Sequence, residues 1–163
     1  MSTADARVRR PPRHELLIKE LLEEARFPAM RDVLLFAAAL GYSANRRVSF
    51  EKSGEPIRYE ILVNEAQADA FVSMLAAVTM RDDPEILDAT RLGERIAIFE
   101  EYANGGLELL QEKINTEPKP YDVIVKSLTV EALTDAGGIE GASVEELLGS
   151  FPAPRVADSN GGE

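Results

Sequence analysis

"MRDVLLFAAALGYSANRRV", Met30 to Val48, is the stretch whose reading decides the fold. From Val33 to Leu40 it carries no polar side chain. Eight residues are too few to span a bilayer, which takes about 20. A helix that is apolar all round is buried on most sides in a water-soluble domain. The pattern therefore predicts a central core helix over Ala29–Leu40. Gly41 is the expected stop and Asn45 tolerates a turn conformation. Arg46 and Arg47 then emerge near the helix's negative end, where cations are favoured. They make a basic collar just before the chain changes period.

Working outward, "HELLIKELLEEA" from His14 predicts an earlier helix, with Leu17, Leu21 and Ala25 on one face and acids on the other. Downstream, Val48 and Phe50, and then Ile57, Tyr59, Ile61 and Val63, sit at alternating positions around "EKSGE". That pattern predicts a β-hairpin from about 47 to 63. "NEAQ" at 64–67 has a capping-box pattern and predicts a helix start, with Phe71, Met74, Leu75 and Val78 as its stripe. Leu92, Ile96, Phe99, Ala103, Leu107, Leu110 and Ile114 step by three or four and predict the strongest helix. Gly105 and Gly106 interrupt that stripe. They mark either a break or a close crossing of another backbone, and the crossing is slightly favoured. A weaker helix follows "NTEPKPY" and ends at Gly137 and Gly138, and "SVEELL" at 143–148 predicts a last short one.

The expected architecture is mainly α (α+β): one helical domain over 14–150 with a single hairpin near 47–63. A flexible basic arm over 1–13 precedes it, and a disordered tail over 151–163 follows. The expected core includes Leu35, Phe36, Leu40, Phe71, Leu75, Ile96, Phe99 and Leu107.

The 163 residues include no Cys, which removes disulfides, thiolate nucleophiles and cysteine-based metal sites. "MSTADARVRRPPRH" has no signal-peptide core, so a cytoplasmic location and no membrane association are expected. Net charge is −11. Residues 1–14 set Arg7, Arg9, Arg10 and Arg13 against Asp5, a balance of +3, so the remainder carries −14. A body this acidic is well solvated and repels a phosphate backbone at long range. Contact with DNA must then run through local patches or a basic partner.

No motif carries catalysis. His14 is the single histidine and belongs to no recognisable catalytic Ser or carboxylate arrangement, which makes it a poor candidate base. Asp82, Asp83, Glu85 and Asp88 form the densest acidic group, but charges at helix starts explain Asp83 and Glu85 more simply than a metal does. Asp122 and Lys126 lack the spacing of a nuclease motif. The Gly-Gly pairs lack the Lys-Ser/Thr of a phosphate loop. No cofactor, no metal and no intrinsic enzymatic activity are expected. The candidate nucleic-acid or partner contacts are the basic residues Arg7, Arg9, Arg10 and Arg13 of the arm, with Arg46, Arg47, Lys52 and Arg58 on or near the hairpin. A helix pair followed by a hairpin is similar to a winged DNA-binding module, although the second helix is too apolar to enter a groove.

Three stretches carry a family resemblance: "RVRRP" at 7–11, "MRDVLLFAAALGYSANRRV" at 30–48 and "IFEEYANGGLELLQEKI" at 98–114. In these the chain resembles the DNA phosphorothioation-associated (dnd system-associated) small protein family. The resemblance implies a place beside bacterial phage-defence systems that exchange a non-bridging phosphate oxygen of DNA for sulfur and restrict unmodified DNA. It supplies no catalytic residues. The resemblance names a pathway and leaves the mechanism open, and the first reading within it is an accessory protein that binds the system's modification or restriction proteins and reaches DNA through the basic arm. The competing reading is a small metal-dependent nicking or nuclease subunit built on Asp82–Asp88. A purely structural oligomer is the third.

Overall fold

Two helices, α2 (Met30–Ser43) and α5 (Leu92–Thr116), cross in backbone contact and organise the rest of the chain. The computed structural model describes residues 5–64 and 67–135. Among these the chain is mainly helical, with six α-helices and one small two-stranded antiparallel sheet, the class expected. The other elements are β1 (Arg7–Val8), α1 (Glu15–Glu24), β2 (Ile57–Arg58), α3 (Tyr59–Val63), α4 (Ala68–Thr79) and α6 (Tyr121–Asp135). Single 3₁₀ turns cover Pro12–His14, Pro84–Leu87 and Ala89–Arg91.

The axis of the core is α5 rather than α2. Leu92, Ile96, Phe99, Ala103, Leu107 and Leu110 are buried along it, and Ile114 packs at the margin. It runs unbroken through Gly105 and Gly106, so the glycines mark a crossing. A Cβ on Gly106 would lie 1.8 Å from the Ala37 carbonyl oxygen, and one on Gly41 would lie 2.1 Å from the Tyr102 carbonyl oxygen. The contact is reciprocal. Ala37 and Gly41 on one helix meet Tyr102 and Gly106 on the other, each pair one turn apart. Gly41 is thus interior to α2 and does not stop it. The stop comes at Asn45, in left-handed conformation at φ 51°. Arg46 N–H donates to Gly41 O at 2.7 Å and Asn45 N–H to Tyr42 O at 3.0 Å, the two bonds of a Schellman cap.

Burial of α2 is also more one-sided than its composition suggests. Val33, Leu34, Ala37, Ala38 and Leu40 are buried, Leu35 and Phe36 are half-buried, and Ala39 is exposed. Of the remaining expected core, Leu75, Ile96, Phe99 and Leu107 are buried and Phe71 is half-buried.

The sheet corrects the expected strand pairing. Ile57–Arg58 is a strand within the 47–63 stretch, but its partner is Arg7–Val8, in register Arg7↔Arg58 and Val8↔Ile57. Residues 48–50 form no strand, and α5 takes both backbone groups of Val48. Val48 N–H donates to Glu101 O at 3.0 Å and Asn104 Nδ2 donates to Val48 O at 3.1 Å. Tyr59–Val63 is a helical turn that buries Tyr59 and Leu62, three apart, and exposes Ile61.

The segment read as a flexible arm is docked from residue 6 onward. Ala6, Val8 and Arg10 are buried while Arg7 is exposed, the alternation of a strand on a core. Tyr59 N–H donates to Ala6 O at 2.9 Å and Gly54 N–H to Arg10 O at 2.8 Å.

The helix expected from Asn64 starts later. Asn64 ends α3, and Gln67, at φ 54°, precedes α4 without a side-chain cap. Its buried face is Ala68, Val72, Leu75 and Ala76, and Met74 is exposed. The helix stop at Gly137–Gly138, the short helix at 143–148 and the tail over 151–163 lie outside the described residues.

Candidate functional site

One face of α5 carries Glu100, Glu101, Glu108 and Glu112, and most of the candidate arginines close onto it. Arg9 reaches Glu100 through its backbone N–H at 2.6 Å, its Nε at 2.9 Å and its Nη2 at 2.7 Å, while its guanidinium stacks 4.8 Å over the Phe50 ring. Glu100 is 3% exposed, and burial holds its carboxyl above the usual carboxylate range even though Arg9 pulls it down. Arg13 pairs with Glu108 at 2.8 Å. Arg46 bridges to Glu112 at 2.5 and 2.8 Å and to Glu108 at 3.5 Å, and its hydrogen bond holds the Glu112 carboxyl below the usual range. Arg47 pairs with Glu101 and lies 6.0 Å over the Tyr102 ring.

The basic collar and the N-terminal segment, two separate stretches of the first third of the chain, therefore close together as a strap over the acidic face of α5. Arg10 is buried and holds the strap from beneath. Its Nε donates to the Glu55 carbonyl, and it pairs with Glu15 at 3.4 Å and Glu55 at 3.7 Å.

Three members of the set remain outward. Arg7, Arg58 and Lys52 are exposed and make no ion pair among the described residues. Register sets Arg7 directly opposite Arg58, so their side chains leave the sheet on one face. No contact brings Lys52 to them.

The acidic group at 82–88 does not converge. Asp83 pairs with Arg91 at 2.8 Å. Asp88 accepts from Thr90 N–H at 2.8 Å and from Thr90 Oγ1 at 2.7 Å, which lowers its carboxyl's pKa. Asp122 and Lys126 form an ordinary i,i+4 pair at 3.1 Å. Among the described residues no three His, Cys, Asp or Glu side chains are grouped to hold a metal. His14 is 3% exposed, and burial together with Arg13 lowers its pKa to about 4. Its Nε2 and the Oδ1 of buried Asn104 have no hydrogen-bond partner among the described residues.

Reasoning from sequence missed Glu100, Glu101, Glu108, Glu112 and Asn104. The spacing of the four acids was the available signal, since Glu108 lies seven and eight residues from Glu101 and Glu100, and residues so spaced share a helix face.

The fold and the arginine set define a small, mainly α-helical protein in which four of the eight candidate basic residues pair with its central helix while Arg7 and Arg58 stand opposite each other at the surface. Residues 7–143 match the family of DNA sulphur modification system-associated protein 4, and the chain belongs to that family. The comparisons with curated proteins and with solved structures found no match.

Proposed function

We propose that this protein is an accessory component of a bacterial DNA phosphorothioate modification and restriction system, acting by binding the system's own proteins and touching DNA locally. Family membership across residues 7–143 supports an association with the DNA sulphur modification system. The observation that carries the binding role is the sorting of charge. Arg9, Arg13, Arg46 and Arg47 pair with glutamates of α5, which leaves the net excess of acids, −11 over the whole chain, unchanged and available to a basic partner. Such a surface steers and orients a basic protein partner. No helix among the described residues is long and apolar enough to cross a membrane.

The test is a tagged pull-down of the full chain from a host carrying the intact system. Modification or restriction proteins of that system should co-purify at low salt and dissociate as ionic strength rises past the range where the Debye length falls below about 8 Å. If none of them co-purifies at low salt with the tag at either end, the reading is wrong. A supercoiled-plasmid assay with Mg²⁺ or Mn²⁺ addresses the nuclease alternative. Nicking by the pure protein that Asp82→Ala or Asp88→Ala abolishes would replace the accessory role with a catalytic one.

A further inference from the structure

We propose that Arg7 and Arg58, set opposite each other by the β1–β2 register, form a two-arginine clamp for a backbone phosphodiester of DNA. The inference rests on the accessory reading above and gives its DNA contact a definite place.

Five of the eight basic candidates are held by acids, whereas Arg7 and Arg58 meet none among the described residues. Like charges placed directly across a strand pair are destabilising. The fold nonetheless keeps this pair and fixes it firmly. Val8, on the opposite face of the sheet, is buried and Ile57 half-buried, so the register cannot slip without exposing them. The Tyr59 N–H to Ala6 O bond extends the pairing by one step. Directly opposed residues of an antiparallel pair stand about 5 Å apart at Cβ. Two guanidinium forks rising from that separation suit the two non-bridging oxygens of one phosphodiester, or neighbouring phosphates of one strand.

Beside Arg7 lies a concavity of about 340 Å³, lined also by Gly93 and Ala97 of α5. The small side chains of these two leave it open. Arg9 and Glu100 also line it, but they neutralise each other, so Asp5 is the one unpaired acid there. The acidic body repels DNA at distance, so the clamp acts at short range and its binding is sensitive to salt.

The test measures binding of a fluorescent 12-base-pair duplex to the full chain by anisotropy from low to moderate salt. Wild type should bind with log K falling against log salt at a slope between about −0.9 and −1.8, as expected for one or two phosphates. Arg7→Gln with Arg58→Gln should weaken binding tenfold or more. Arg46→Gln with Arg47→Gln should leave it within twofold. Both arginines of the clamp are exposed, so an unchanged melting temperature verifies folding of the double variant. No binding by wild type, or equal binding by the clamp variant, overturns the proposal. A Glu-rich peptide of matching charge is the control. If it binds and the duplex does not, the pair is a protein contact and the proposal is also wrong. The pull-down is repeated with the clamp variant. The variant should still co-purify the system proteins; wild type that pulls them down yet binds no duplex sinks the clamp alone. DNA binding without any co-purifying protein sinks the accessory reading alone.

Discussion

Gly106 of α5 and Ala37 of α2 stand so close that a Cβ on the glycine would lie 1.8 Å from the alanine's carbonyl oxygen. The obstacle is backbone, which cannot rotate aside. Gly106→Ala therefore forces the two helices apart and loosens packing along their whole contact. The alanine's helix propensity returns only about 1 kcal/mol, and overpacking costs about 1–3 kcal/mol or more. Urea denaturation should show a net loss of about 2 kcal/mol. Gly93, near the start of the same helix, has nothing within 4 Å of a built Cβ. Gly93→Ala should instead gain up to about 1 kcal/mol. Equal effects of the two substitutions would remove the crossing from the explanation.

Arg9 is the cover of a buried carboxylate. Arg9→Met leaves Glu100 without its charge partner, and breaking a buried pair from one side costs about 3–5 kcal/mol. Arg9 is itself partly exposed, so the lower figure is expected. Glu100→Gln combined with Arg9→Met removes the orphaned charge and should recover most of the loss. A double-mutant cycle by chemical denaturation reads the coupling, and additive effects would show that the pair does not hold the strap.

The strongest periodic signals were legible from the residues, and what failed did so for reasons that can be named. The stripe from Leu92 to Leu110 is long enough for a period of 3.6 to be unmistakable, and α5 follows it. The Ile57–Val63 stretch is too short to separate period two from a three-residue step. Burial of Tyr59 and Leu62 decided for helix. Gly41 read locally as a stop because glycine ends helices, yet here it is small for the sake of α5, a contact no local window displays. The N-terminal segment read as an arm because its arginines find their acids on α5, about ninety positions away. The same distance hid the distinction between the spent arginines and the outward pair.

Deletion of residues 1–13 is consequently not a neutral way to test the basic residues. It removes β1 and uncovers Glu100. Charge reversal of the collar is cleaner but also structural. Arg46→Glu with Arg47→Glu places two acids against Glu112, Glu108 and Glu101. Exposed ion pairs are each worth about 0–1 kcal/mol, and repulsion adds to their loss. The expected loss is about 1–2 kcal/mol in thermal or chemical denaturation, smaller at 0.5 M salt than at 0.05 M because screening shortens the repulsion. Wild-type stability in the double variant would mean that the collar does not restrain α5.

His14 gives the protein a stability that depends on pH in a definite direction. Its pKa is about 4 in the folded chain, against about 6.5 for an ordinary histidine. Between these values the unfolded chain binds the proton and the folded chain does not. Stability therefore rises with pH across the window and is lost as pH falls from about 6.5 toward about 4. The full swing for such a shift is about 3 kcal/mol. Glu100 acts in the opposite sense, because burial raises its carboxyl pKa and so favours the folded state as pH falls. The wild-type profile alone mixes the two, so the readout is the difference between wild type and His14→Gln. Urea midpoints for both chains at pH 7.5 and pH 5 should show a smaller acid loss in the variant, by about 2 kcal/mol. Parallel profiles would mean that His14 does not titrate between these pH values in the way its burial requires.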